Sequence, residues 1–224
     1  MFIDFSQTRV IEYLPKVIWP ACLATLTMLL ITLVLSTLIG MFIAIVLTLT
    51  RPEGLAPDKY IYRFLNGLID ALRSFPAIIL IVVLTPVTRW LTGTSVGWVA
   101  AIIPLTVVAF PAIARLIENA LSEVDNSVIL AARSFGASNM QIIWKIMFTE
   151  ALPAIVSNMT FAAIQLLANT ALAGAVGAGG LGAVALTYGY QRFDDAITYA
   201  VVFILSIIVL AIQYTGKLLY RSLK

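Results

Sequence analysis

The chain has 224 residues, 61% hydrophobic and 11% charged, with a formal net charge of +3 and a mean hydropathy of +1.02. A soluble domain carries about 25% charged residues, so this composition excludes an ordinary water-soluble fold. The lack of histidine and the single cysteine, Cys22, exclude Ser-His-Asp and Cys-His catalysis, a histidine or cysteine-cluster metal site and a disulfide framework.

Charge-free runs delimit the elements, because a bilayer core takes about 20 apolar residues of helix. Residues 1–16 mix Ile3, Phe5, Val10, Ile11, Tyr13 and Leu14 with polar neighbours, as an interfacial segment would. No charge lies between Lys16 and Arg51, which gives a first span at about 18–49. A cleaved signal peptide is disfavoured, since that run is about twice the usual 7–15 residues and Asp4 and Glu12 spoil a basic leader. Arg51-Pro52-Glu53-Gly54 and Pro57 form a turn. Ile61, Phe64, Leu65, Leu68, Ile69 and Leu72 then recur at helical spacing and lead into a second span at about 70–88, bracketed by Pro76 and Pro86. A third span covers about 95–114, interrupted by Pro104 and Pro111. A fourth covers about 152–175, with an irregular or re-entrant segment after it, and a fifth about 196–215.

The fold class is therefore all-α, a polytopic membrane protein with five transmembrane helices and a spanning domain over 17–216. The loops 51–73 and 115–150 and the tail 217–224 hold ten of the fourteen cations. Positive loops stay inside, so the amino terminus is outside and the carboxyl terminus cytoplasmic. This arrangement accounts for the net positive charge, and no nucleic-acid partner is inferred from it.

The loop 115–150 is the longest polar connection. Ile113, Leu116, Ile117, Ala120, Leu121 and Val124 carry the third helix past the membrane. Asp125-Asn126-Ser127 offers capping chemistry, and Val128 to Phe135 makes about two turns of helix. Gly136 suits the left-handed stop. Ser138 with Gln141 three residues on reads as a capping box, and Ile142, Ile143, Ile146 and Met147 give the next helix an apolar stripe. Val128, Ile129, Leu130 and Phe135 are too apolar for a free loop, which marks this short helix as a contact site.

Two motifs fail their context. Gly177-Ala178-Gly179-Gly180-Leu181-Gly182 matches G-x-G-x-x-G but sits in an apolar membrane run, and Asp194 and Asp195 come too early for a ribose-binding acid. Gly216-Lys217 lacks the rest of a P-loop, so the chain does not bind ATP by that route. The small residues Ala171, Gly174, Ala175 and Ala178 permit close helix approach. Gln165, Asn169 and Thr170 in the same span are candidates for a solute pathway or for bonds to a neighbouring helix.

The loop resembles the signature of permease subunits of ATP-binding-cassette importers, through Ala131-Ala132, Gly136 four residues after Ala132, and Ile146 ten residues later. Glu118-Asn119-Ala120-Leu121, Val124-Asp125, Ala131 to Ser138 and Glu150-Ala151-Leu152-Pro153 are similar to the methionine importer permeases. So are Arg73-Ser74-Phe75-Pro76, the glycine-rich run 173–182, and Tyr188-Gly189-Tyr190-Gln191-Arg192-Phe193. Leu130 stands where that family usually has glutamate, and Phe148-Thr149 where it has Leu-Pro.

The resemblance implies a permease of the bacterial cytoplasmic (inner) membrane that imports methionine, the L form and as a further case the D form. It implies a homodimer, two ATPase subunits on the cytoplasmic face and an extracytoplasmic methionine-binding protein. No cofactor is bound by this chain and it is not an enzyme; ATP and Mg belong to the partner ATPase. Val128, Ile129, Leu130, Ala131, Ala132, Arg133, Phe135, Gly136, Ala137, Ser138 and Ile146 would form the ATPase-coupling site. Gln165, Asn169, Thr170, Gly174 and Ala175 would lie on the pathway or dimer interface. The alternatives are a stand-alone secondary transporter or channel, a non-transporting scaffold and a membrane enzyme. The first usually shows intramembrane charges or internal repeats, and the spans carry no Asp, Glu or Lys beyond their edges.

Overall fold

A computed structural model describes residues 10–223. The interfacial segment expected over 1–16 therefore falls largely on residues outside the described ones, as does Lys224 of the tail. Among the described residues there is no strand.

The first helix, α1, runs Val10–Thr50 with a wider π turn at Leu14–Ile18, where Pro15 contributes no amide hydrogen. Helix α2, Lys59–Ser74, starts at Asp58, whose carboxylate accepts from the amides of Tyr60 at 2.9 Å and Ile61 at 3.0 Å. It stops because Phe75 precedes Pro76. That position is pushed out of the helical region, and Phe75 sits at φ −84°, ψ 138°. Helix α3, Ala77–Val83, leaves at 100° to α2, and α4, Thr85–Thr92, follows immediately. The residues expected as the second span thus come as bent pieces rather than as one rod.

Helix α5, Trp98–Ser122, passes through Pro104 and Pro111 without the interruption the sequence suggests. Proline's fixed φ near −65° is itself helical, and freed carbonyls in membrane helices are re-satisfied by neighbours and local adjustment. A short helix, α6, spans Asn126–Ser134. The next, α7, spans Asn139–Ala178 and carries π turns at Ile143–Met147 and Gly174–Ala178. It ends where Val176 and Gly177 leave helical geometry, Gly177 at φ 101°. Helix α8, Gly180–Val184, widens into a turn over Ala185–Tyr190, and α9, Asp195–Ser222, completes the chain. Helices α1, α5, α7 and α9 are each long and apolar enough to cross a bilayer, and the bent α2–α3 pair counts as a fifth candidate.

The chain divides into two compact units. One contains residues 10–34, 76–108 and 163–213; the other contains 35–75, 109–162 and 214–223. The first is built around Ile18, Cys22, Leu181, Val184, Ile197 and Val201. There the Leu181 amide donates to the buried Thr25 Oγ1 at 2.8 Å, and the Gly97 amide donates to the Gly177 carbonyl at 2.9 Å, tethering the irregular backbone after α7. In the second unit Leu47, Ile69 and Ala114 meet at the core, with Ile113, Ile117, Leu121, Ile142, Ile143 and Met147 almost fully enclosed. The outer faces are apolar as well: Phe42, Phe203 and Leu210 are each more than 60% exposed. Such a surface is a liability in water and suits lipid, where helix association rests on close packing rather than on expulsion of water.

Candidate functional site

The loop between α5 and α7 folds by local rules. The Asp125 carboxylate accepts from the Ser127 amide at 2.8 Å and starts α6. The Ser127 backbone and hydroxyl hold that carboxyl below its ordinary range. At the other end, the Gly136 amide donates to the Arg133 carbonyl at 2.9 Å and the Ala137 amide to the Ala132 carbonyl at 3.1 Å, with Gly136 at φ 78°. This pair of bonds is the Schellman stop, which requires a left-handed residue between helix and exit. Ser138 and Gln141 then form both bonds of the capping box that opens α7.

The apolar side chains of α6 point in two directions. Phe135 is 91% exposed and Leu130 60%, with Val128 and Ala131 also exposed. Ile129 is turned inward and buried, and Ala132 is half-buried. Ile129 therefore does not share the exposed side with Val128 and Leu130, because a helix turns about 100° per residue and three consecutive residues cannot all face one way. Arg133 donates from Nη2 to the Leu55 carbonyl at 3.2 Å rather than reaching outward. Ala137 and Ile146 are half-buried, while Gly136 and Ser138 are exposed.

Replacing Leu130 with glutamate tests the outward face. The side chain is exposed, so Leu130→Glu buries no charge. Thermal stability is expected to stay within about 0.5 kcal/mol of the parent, as for most surface changes. If the helix carries the partner contact that the sequence resemblance implies, co-purification of that partner is expected to be retained or strengthened.

A charged network braces α2 against α5. Arg115 donates from Nη1 to Glu118 Oε2 at 2.7 Å, and from Nη2 to Asp70 Oδ1 and Asn66 Oδ1, each at 2.8 Å. Asn66 donates to the other Asp70 oxygen at 2.8 Å. Glu118 is only 5% exposed. Arg51 donates to the Ser122 hydroxyl, which itself donates to the Glu118 carbonyl at 2.8 Å. The one local sequence clue to this network is the i, i+3 spacing of Arg115 and Glu118.

The residues singled out within α7 also separate. Gln165 and Ala175 are exposed and Asn169 is half-buried. Thr170 is buried and its hydroxyl donates to the Leu167 carbonyl at 2.6 Å. Gly174 is buried against Gly179, Gly182 and Ala183, so close that a Cβ there would meet the Ala183 amide at 2.7 Å. Thr170 and Gly174 are thus packed within the chain, while Gln165 and Ala175 lie on its surface.

Residues 36–224 match the family of binding-protein-dependent transport system inner membrane components. The chain is 42% identical over 183 residues to the probable D-methionine transport system permease protein MetI of Vibrio cholerae, covering 82% of this chain and 81% of that one. It is 40% identical over 173 residues to the methionine import system permease protein MetP of Bacillus subtilis, covering 77% and 78%. Among solved structures it is similar to a chain of the inward-facing MetNI methionine ABC transporter in its CY5 native crystal form. The TM-score there is 0.93 at 38% identity, over 95% of this chain and 99% of the other. An amino acid ABC transporter solved with histidines shares the fold, with a TM-score of 0.79 at 20% identity over 99% and 100%.

Proposed function

We propose, from the premise that the chain belongs to the family of binding-protein-dependent transport system inner membrane components, that it is the permease of an ATP-driven methionine importer and docks its ATPase through α6. It is a non-catalytic transport subunit of the inner membrane. The observation that carries the docking is a short helix fixed at both ends that holds Phe135, Leu130, Val128 and Ala131 free on its outer side. Methionine as solute is supported by the relatives that share about 40% of its sequence.

In this reading two copies pair around a pathway. Each places α6 in a cleft of a cytoplasmic ATPase subunit, which binds the ATP and Mg. Phe135 fills the cleft, Leu130 lies at its polar rim, where the family usually has glutamate, and Ala131 lets the backbone come close. Gly136 and the Ser138 cap fix the angle at which α6 passes motion to α7. The nucleotide states of the ATPase must bind α6 in different positions, because only differential contacts shift a conformational equilibrium. An extracytoplasmic binding protein delivers the amino acid when the site opens outward. Gln165, Asn169 and Ala175 face the pathway or the second copy. A recess of about 20 Å³ lined by Thr85, Thr88, Ser95 and Val176 has room for about one water. It is far too small for an amino acid.

Docking is tested by labelling Phe135→Cys with a photoreactive maleimide in the free permease, where position 135 is exposed, and then assembling the complex and irradiating it. The native thiol of Cys22 is buried, so labelling is selective. A covalent adduct with the ATPase subunit is expected; labelling without any adduct contradicts the docking.

A further inference from the structure

The turn between α1 and α2 is folded back on the end of α1. The Gly54 amide donates to the Arg51 carbonyl at 2.8 Å, Ala56 to Leu49 at 2.9 Å and Asp58 to Thr50 at 3.0 Å. A Cβ on Gly54 would run into the Leu49 carbonyl and lie 2.7 Å from that of Thr48, so only glycine fits this closely. The neighbouring Leu55 carbonyl accepts two side-chain bonds, from Arg133 Nη2 at 3.2 Å and from Asn139 Nδ2 at 3.3 Å. Arg133 lies in the last turn of α6 and Asn139 opens α7. One main-chain oxygen therefore ties both arms of the Gly136 corner. Among the described residues these are the hydrogen bonds that join the turn 51–58 to α6 and α7.

The rest of α6 stands off the turn. An open recess of about 230 Å³ is lined by Thr48, Arg51, Glu53 and Gly54 on the side of the turn and by Asn126, Ile129 and Leu130 on the side of α6. At about 30 Å³ per molecule that volume suits on the order of seven waters. Its lining mixes the charged and polar residues Arg51, Glu53 and Asn126 with the apolar Ile129, Leu130 and Met147. A helix pinned at its carboxyl end beside a hydratable space, with Ile129 as its one buried side chain, can swing at the cost of little apolar packing.

We propose that the Leu55 carbonyl is the pivot of the coupling helix, with Arg133 and Asn139 as positioning residues that convert displacement of α6 into movement of α1. This rests on α6 being the ATPase-docking helix. When the ATPase moves the outer face, the pinned corner transmits force to the turn 51–58, and through the Gly54 fold-back to the end of α1. With the pin lost, α6 moves with the ATPase while the spanning helices lag, so ATP is hydrolysed without transport.

The test uses the full permease reconstituted in liposomes with its ATPase and binding protein, and reads ATP hydrolysed per methionine imported. Arg133→Met keeps the apolar stem and removes the donor. Asn139→Asp keeps the shape, suits a helix amino terminus and removes the donor. Each single variant is expected to raise the ratio several-fold, and the double variant on the order of tenfold, with two lost bonds acting together. A merely structural role would lower hydrolysis and import in proportion and leave the ratio unchanged, which overturns the pivot. A rise with Arg133→Met but not with Asn139→Asp also overturns it, because Arg133 would then act on the ATPase directly. The Phe135→Cys adduct, measured in the otherwise parental permease, reports separately on docking. An adduct with an unchanged ratio removes the pivot alone, and a missing adduct removes the docking on which it rests.

Discussion

Gly136→Pro abolishes ATP-driven uptake while the chain still inserts in the membrane. Gly136 sits at φ 78°, which proline's fixed φ near −65° forbids, and its amide donates to the Arg133 carbonyl. The substitution removes one of the two bonds that end α6 and turns the chain in another direction. No Cβ clash contributes, since a Cβ at this position meets nothing within 4 Å. An L-residue such as alanine pays only the left-handed conformational cost of about 1–2 kcal/mol. Gly136→Ala is therefore expected to retain part of the uptake and Gly136→Pro none. Ala132→Arg, which forces a charge into a half-buried position on the inner side of α6, should also abolish uptake. Normal ATP-dependent uptake in vesicles by both Gly136→Pro and Ala132→Arg would remove the corner from the coupling mechanism.

The second large effect falls on stability. Arg115→Met leaves Glu118 buried beside an apolar side chain, and leaves Asp70 and Asn66 without their shared donor. Breaking one partner of a buried pair costs about 3–5 kcal/mol, much of it the penalty of the charge left behind. A large fall in thermal midpoint in detergent, together with loss of folded protein, is expected. Adding Glu118→Gln to Arg115→Met removes that stranded charge and should recover a substantial part of the loss. An Arg115→Met single variant as stable as its parent would mean that the network contributes nothing to the brace between α2 and α5.

The corner around α6 was legible because its signals are local. Asp125, Gly136 and the Ser138–Gln141 pair each act within five residues, and each takes the role its chemistry suggests. The run 70–88 reads as one span, and the structure bends it at Pro76, since a proline restricts the residue before it. Pro104 and Pro111 gave the same signal without an interruption, because inside α5 their φ fits the helix. The facing of α6 could not be read. Val128, Ile129 and Leu130 are consecutive apolar residues in a nine-residue helix, too short for periodicity to say that Ile129 turns inward. The network of Arg115 was hidden by distance, Asn66 and Asp70 lying 49 and 45 residues away. The Leu55 pin had no sequence signature at all, since its acceptor is a carbonyl that every residue carries. Likewise the G-x-G-x-x-G match reflects backbone demands: Gly177 and Gly179 both take positive φ where α7 ends and α8 begins.

The central claim is that this chain moves methionine only when coupled to an ATPase. The most direct measurement is radiolabelled methionine uptake into liposomes that hold the chain with and without its co-purified ATPase, with ATP inside and binding protein outside. Uptake that requires ATPase, ATP and binding protein together is the predicted result. Uptake of equal rate without the ATPase would contradict the account and make the chain a secondary transporter or channel.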